Sequence, residues 1–375
     1  MNSASSVLLP TFTRLGSWLA TMRLRHFLLL SIGVALIKTT LFWRGSFFYP
    51  EVAAFPTPAS SLSSNFIPIG LHGFFQQFGL LLGPLLLLTE TVALLSATIA
   101  LILLMWPYAR NRLDQRLLIL LAVAWPGVYT VLPWLGNGTA YLPLFVVLGL
   151  LGPRLWIRTV GVVGATATHP EQSFVAFSLL LFVSLLPEFR FFRTRALMGS
   201  AAGLVVTVGS GIWIQASELS GRFPSLAENF ALSVRFSLRY SILGVYTWWG
   251  LWWILIFIIL AMVRGRSRLV YFLAAVVVPG SFAFITDNYT RVFAGTALAI
   301  GIASLWLLLT RESRETPTSG TPSEAESRNS YLALGIWAAL FFLLPNLNFM
   351  MPGEGVPVPG AYWVGLVENY LLARL

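Results

Sequence analysis

Between Gln77 and Trp106 the only ionisable side chain is Glu90. A helix needs about 20 apolar residues to cross the roughly 30 Å hydrocarbon core of a bilayer, and this run exceeds that. Apolar stretches at 27–43, 241–263 and 331–345 repeat the pattern. Of the 375 residues 57% are hydrophobic and only 10% charged, whereas an ordinary soluble domain is about a quarter charged. The expected fold is an all-α polytopic membrane protein. A membrane β-barrel would show alternating segments of about ten residues, a pattern this sequence lacks.

The formal net charge of +10 does not point to nucleic acid, because of how it is distributed. All but one of the 24 basic residues are arginines, and most fall in short clusters between apolar runs: Arg14/Arg23/Arg25, Arg110/Arg112/Arg116, Arg154/Arg158, Arg190/Arg193/Arg195, Arg264/Arg266/Arg268 and Arg311/Arg314/Arg328. Such clusters mark the cytoplasmic ends of membrane helices. With no cysteine and three histidines, disulfides, thiolate ligands and a His-rich metal centre are not expected.

These marks divide the chain into four parts. Residues 1–26 form a cytoplasmic or interfacial segment, in which 11–26 could make an amphipathic helix on the inner surface. Residues 27–310 form the transmembrane core, with external loops at 44–73 and 215–240. Residues 311–330 are a polar, Ser/Thr/Pro-rich inner loop with the composition of a disordered segment, and 331–375 hold the last span and an external tail. The run after Arg25 reads as the first span rather than a cleavable signal. The total is about ten transmembrane helices in a cytoplasmic (inner or plasma) membrane, N-terminus inside and C-terminus outside. No internal repeat is evident, which weighs against an inverted-repeat transporter.

One region breaks the regular alternation. Arg158 and the Arg190–Arg195 cluster both belong inside, yet only one full apolar span, 173–187, separates them. The segment 159–167 must therefore climb as a short or broken element and place THPEQ, 168–172, at its outer turn: a broken re-entrant hairpin. Such breaks are tolerated at membrane depth where they are buried in protein or line a cavity.

Charged groups at membrane depth are costly and tend to face a partner or a cavity. His169 and Glu171 sit at the hairpin tip. Either they serve as base or clamp for a sugar or lipid phosphate, or Glu171 and Gln172 cap a helix that Pro170 begins. In TDNYTR, Asp287 suits a helix N-cap, while Arg291 in the first turn opposes the macrodipole unless an anion sits there. Arg235 and Arg239, four apart on a helix, repel unless they share an anion; both could instead snorkel to headgroups. Arg222 is similar, with Glu218 beside it. Lys38, the only lysine, lies close enough to the interface to snorkel. The aromatic stretch YTWWGLWW either lines a lipid groove or anchors at the interface.

This set resembles the polyprenyl-linked membrane glycosyltransferases, the GT-C superfamily and the related O-antigen-polymerase (Wzy-like) proteins. His169-Pro170-Glu171-Gln172-Ser173-Phe174 is similar to the H-K-E-x-R-F stretch of some GT-C mannosyltransferases, with Pro170 and Ser173 where that stretch has Lys and Arg. Asp287-Asn288-Tyr289-Thr290-Arg291-Val292-Phe293 is similar to a D-x-T-R-V-F turn of polysaccharide polymerases, with one extra residue before Thr290. Many GT-C enzymes carry an acidic pair in the first external loop, where this chain offers only Glu51.

The resemblance implies a GT-C-like membrane glycosyltransferase, an O-antigen-like polymerase working at the external face. Its partners would be a polyprenyl-(pyro)phosphate-linked sugar donor, a glycan acceptor and membrane lipids. Glu171, His169 or Asp287 would be the base or sugar clamp; Arg291, Arg235, Arg239, Arg222 and Lys38 would bind the donor phosphate. No cofactor is required, although Asp287 and Glu171 could hold a divalent metal. The rival expectation is a transporter or flippase of a lipid-linked or anionic solute that uses the same arginines.

Overall fold

A computed structural model of the chain describes residues 2–41, 82–109, 111–129, 140–216, 245–284, 289–315 and 324–344, with the isolated positions 231 and 234. Every regular element among them is helical. The helices are α1 (Asn2–Thr21), α2 (Leu24–Leu41), α3 (Leu82–Met105), α4 (Arg112–Val123), α5 (Tyr141–Leu151), α6 (Leu155–Thr168), α7 (Pro170–Val183), α8 (Arg193–Ala216), α9 (Trp252–Met262), α10 (Arg266–Phe272), α11 (Val278–Phe284), α12 (Tyr289–Glu315) and α13 (Glu324–Leu343). A π-helical stretch, Leu273–Val277, joins α10 to α11.

Among the described residues two stretches are long and apolar enough to cross a membrane, Leu88–Tyr108 and Val292–Thr310. The pair Leu9–Thr21 and Leu24–Thr39 makes a third candidate, bent by 120°. Shorter apolar helices surround them, at Tyr141–Leu151, Pro170–Val183, Trp252–Met262 and Arg328–Leu343. α12 is the central post: its apolar window is 94% buried, against 33% for that of α3. On α3 the exposed side chains Leu88, Val92, Leu95, Ile99 and Leu103 recur at three- and four-residue intervals, which places them on one face. A continuous exposed apolar stripe of that length suits lipid rather than water.

Small residues let these helices approach closely, as expected where packing rather than the hydrophobic effect drives association. A Cβ on Gly161 of α6 would lie 2.2 Å from the Gly149 nitrogen of α5. Gly199 and Gly203 of α8 receive Phe177 and Phe174 of α7. The N-terminal residues, expected as a surface helix over 11–26, instead form the longer α1 docked along α13. Gly16 meets the Tyr331 carbonyl and Gly335 meets the Phe12 carbonyl, so the two helices run antiparallel. At the bend after α1, the buried Arg116 donates from Nη2 to the Met22 carbonyl and lies 4.8 Å over the Phe27 ring.

In YTWWGLWW three of the four indoles lie inside the bundle. Trp248, Trp249 and Trp252 are buried in a stack with Phe293 of α12 and Trp125: Trp248 on Phe293 at 4.6 Å, Trp249 on Trp252 at 6.4 Å, Trp252 on Trp125 at 6.2 Å. Gly280 and Gly301 make room for the indoles. A buried indole needs an acceptor for its N–H. Trp252 Nε1 donates to the Leu121 carbonyl at 2.8 Å, and Trp249 Nε1 donates to the Ala275 carbonyl in the π-helical stretch at 3.1 Å.

Candidate functional site

α6 and α7 form the hairpin that the arginine clusters require. Their far ends return to one level, where Arg158 of α6 and Arg195 of α8 come within electrostatic reach of each other. Each helix has 14 residues, or about 21 Å at 1.5 Å per residue, which is less than a full bilayer core.

The tip is built by His169, whose φ of −152° and ψ of 88° interrupt the helix. Pro170 then opens α7, where its missing N–H costs nothing. The break is stitched from both sides. His169 N–H donates to the Ala165 carbonyl and Ser173 N–H to the His169 carbonyl, each at 3.0 Å. The buried Ser173 Oγ donates to the Ala165 carbonyl at 2.6 Å, and Thr168 Oγ1 to the Gly164 carbonyl at 2.7 Å. A position stitched this closely holds its side chains in fixed places.

At the tip, His169 Nδ1 and Glu171 Oε2 are 3.1 Å apart. Neither atom has an aligned hydrogen bond and both are buried, so the contact is a close approach of imidazole and carboxylate, off the hydrogen-bond axis. On the other side of the ring, Gln172 Nε2 lies 3.0 Å from His169 Nε2. With the amide donating to Nε2, the ring carries its proton on Nδ1, toward the carboxylate. The Glu171 side chain is 45% exposed while its Oε2 is buried against the ring. The rest of the Glu171 side chain therefore faces outward.

Gln172 is the residue that sequence reasoning treated only as a cap. It is buried and leans on α12: a Cβ on Gly295 would meet its Oε1 at 2.0 Å. Gly295 stands one turn, about 6 Å along the axis, after Arg291 in the first turn of α12. The structure therefore brings the THPEQ tip onto the second turn of α12, at a glycine more than a hundred residues away in sequence. The signal in the sequence was a glycine one turn into α12, but nothing local says which residue it receives.

The chain matches no protein-family profile, no curated protein and no solved structure.

Of the other expected site residues, Asp287, Arg222, Arg235 and Arg239 lie outside the described residues, as does Glu51. Lys38 is described and holds a separate post: it is buried, donates from Nζ to the Phe341 carbonyl near the C-terminus of α13 and lies 4.8 Å over the Phe341 ring. A cation there complements the negative end of the helix dipole. Lys38→Met is therefore expected to lower the thermal midpoint of the detergent-solubilised protein, because the Phe341 carbonyl loses its donor; an unchanged midpoint would show that the contact does not hold α2 to α13. Among the described residues no three His, Asp or Glu side chains converge as a metal cage.

Proposed function

We propose that the chain is a membrane glycosyltransferase, and within that class a polysaccharide polymerase that takes its donor as a sugar on polyprenyl (pyro)phosphate at the external face. A GT-C-like core of about ten spans with one broken hairpin accompanies this reading. The observation that supports it is the seating of the hairpin tip on α12 through Gln172 and Gly295, one turn along that helix from the position of Arg291.

Glycosyl transfer asks for two things near each other. One is a base for the acceptor hydroxyl, worth about 10²–10⁴ in rate. The other is positive charge for the departing phosphate. Glu171 is the base: Oε2 is held against His169 while the remainder of the side chain is open to an acceptor. It takes the proton of the acceptor hydroxyl, whose oxygen bonds to the anomeric carbon as the bond from that carbon to the phosphate oxygen breaks. The released (pyro)phosphate keeps the bonding electrons and is met by the helix start and Arg291. His169 carries its proton toward Glu171 and positions it. Arg235, Arg239 and Arg222 complete the phosphate-binding set in this proposal, with Asp287 as a second acidic group for the acceptor sugar.

The test is mass spectrometry of lipid extracts from a null strain complemented with wild type, Glu171→Gln or Arg291→Ala. Single-repeat polyprenyl-linked glycan is expected to accumulate in the null and in both variants at wild-type protein levels, and to become polymer when wild-type protein is added to isolated membranes. An unchanged lipid-linked pool overturns the proposal. Intermediates trapped intact on the cytoplasmic face would replace it with a flippase.

A further inference from the structure

The end of the bundle opposite His169 carries a second concentration of positive charge. Arg158, in the first turn of α6, is held in place by Nε donating to the Gly152 carbonyl at 2.8 Å and Nη2 to the Pro153 carbonyl at 3.2 Å. Arg195, in the first turn of α8, donates from Nη1 to the Phe191 carbonyl at 3.2 Å and stacks on the Phe191 ring at 3.9 Å. Phe191 in turn stacks on Trp306 of α12 at 4.5 Å with an interplanar angle of 6°. Both guanidiniums are therefore fixed rather than free to swing apart, on the first turns of two helices, α6 and α8, that pack against each other. Among the described residues neither has a carboxylate within ion-pair distance.

Three further facts point to what belongs there. Arg195 Nε and Trp306 Nε1 are buried donors without a partner, and Trp306 is only 7% exposed. Beside the arginines, Leu155 and Trp156 stand 64% and 61% exposed. Arginine, tryptophan and leucine at one level of an apolar bundle are the composition of a membrane–water interface. A free anion would answer the charge and leave the apolar surface bare, whereas a lipid answers both through its phosphodiester and its acyl chains.

We infer that Arg158 and Arg195 form a binding site for the phosphate of an anionic phospholipid, with Trp156 and Leu155 packed against its acyl chains. This site is separate from the hairpin tip and stands whether or not the protein transfers sugars. The inner leaflet, where arginine clusters gather, supplies such lipids.

The test uses the full-length protein in nanodiscs of phosphatidylcholine with and without phosphatidylglycerol, followed by native mass spectrometry of the lipids retained. Wild type is expected to retain phosphatidylglycerol in preference to phosphatidylcholine. The double variant Arg158→Gln/Arg195→Gln is expected to lose roughly 30-fold of that preference, while the exposed control Arg193→Gln keeps it. Should the double variant not be recovered folded, each single variant is expected to lose roughly fivefold. Equal retention of the two lipids by wild type overturns the inference without any variant. So does displacement of the lipid by millimolar inorganic phosphate, which would make this a free-phosphate site.

Discussion

Gly335→Ala and Gly16→Ala are each expected to destabilise the detergent-solubilised protein by about 1–3 kcal/mol, seen as a lowered thermal midpoint. A Cβ on Gly335 would lie 1.8 Å from the Phe12 carbonyl oxygen, and one on Gly16 would lie 1.8 Å from the Tyr331 carbonyl oxygen and 2.9 Å from the Gly335 nitrogen. The atoms met are backbone on both sides, so no rotamer change relieves the contact and the helices must move apart. α1 would then lose its seat on α13, and the buried Leu19 would lose contacts. The controls are Gly33 and Gly209, where a Cβ would have nothing within 4 Å. Alanine at either should be neutral or raise stability by up to about 1 kcal/mol, as helix propensity dictates. If Gly335→Ala melts with wild type, the α1–α13 crossing is not a feature of the folded protein.

The comparison of those glycines shows what the sequence makes legible. Helices defined by their own residues were readable: the apolar run from Gln77 to Trp106 contains α3, and the short climbing segment at 159–167 lies within α6. The hairpin followed from charge balance alone, because Arg158 and Arg195 must share a side. Contacts between distant helices were not readable. Gly16 and Gly33 look alike in sequence, yet one meets a carbonyl and the other meets nothing. The tryptophans of YTWWGLWW have the composition of an interfacial belt; only Gly280, Gly301 and Phe293, which come from other helices, reveal a buried stack. In the candidate site His169 and Glu171 stood out by charge. Gln172 did not, because its role depends on a glycine 123 positions later.

That dependence makes Gly295→Ala the most informative change at the site. The new methyl would lie 2.0 Å from Gln172 Oε1 and 2.9 Å from its Cδ, so the amide must swing away. Unlike the glycines of the α1–α13 crossing, Gly295 meets the far end of a flexible side chain, and the fold can yield at modest cost. His169 Nε2 then loses its donor, and the imidazole that positions Glu171 is free to turn. Under the proposed polymerase function, the expected variant melts within a few degrees of wild type but polymerises about 10²-fold more slowly, within the range for loss of general-base catalysis. Gln172→Ala removes the same donor without crowding, so it should be impaired to a similar degree, and Gly295→Ala added to it should cost little more. Such non-additivity marks two residues acting through one contact. If the two losses instead multiply, Gly295 acts on the reaction by some route other than Gln172. If Gly295→Ala is fully active, the seating of the hairpin tip on α12 has no part in the chemistry, and the case for Glu171 as the base falls with it.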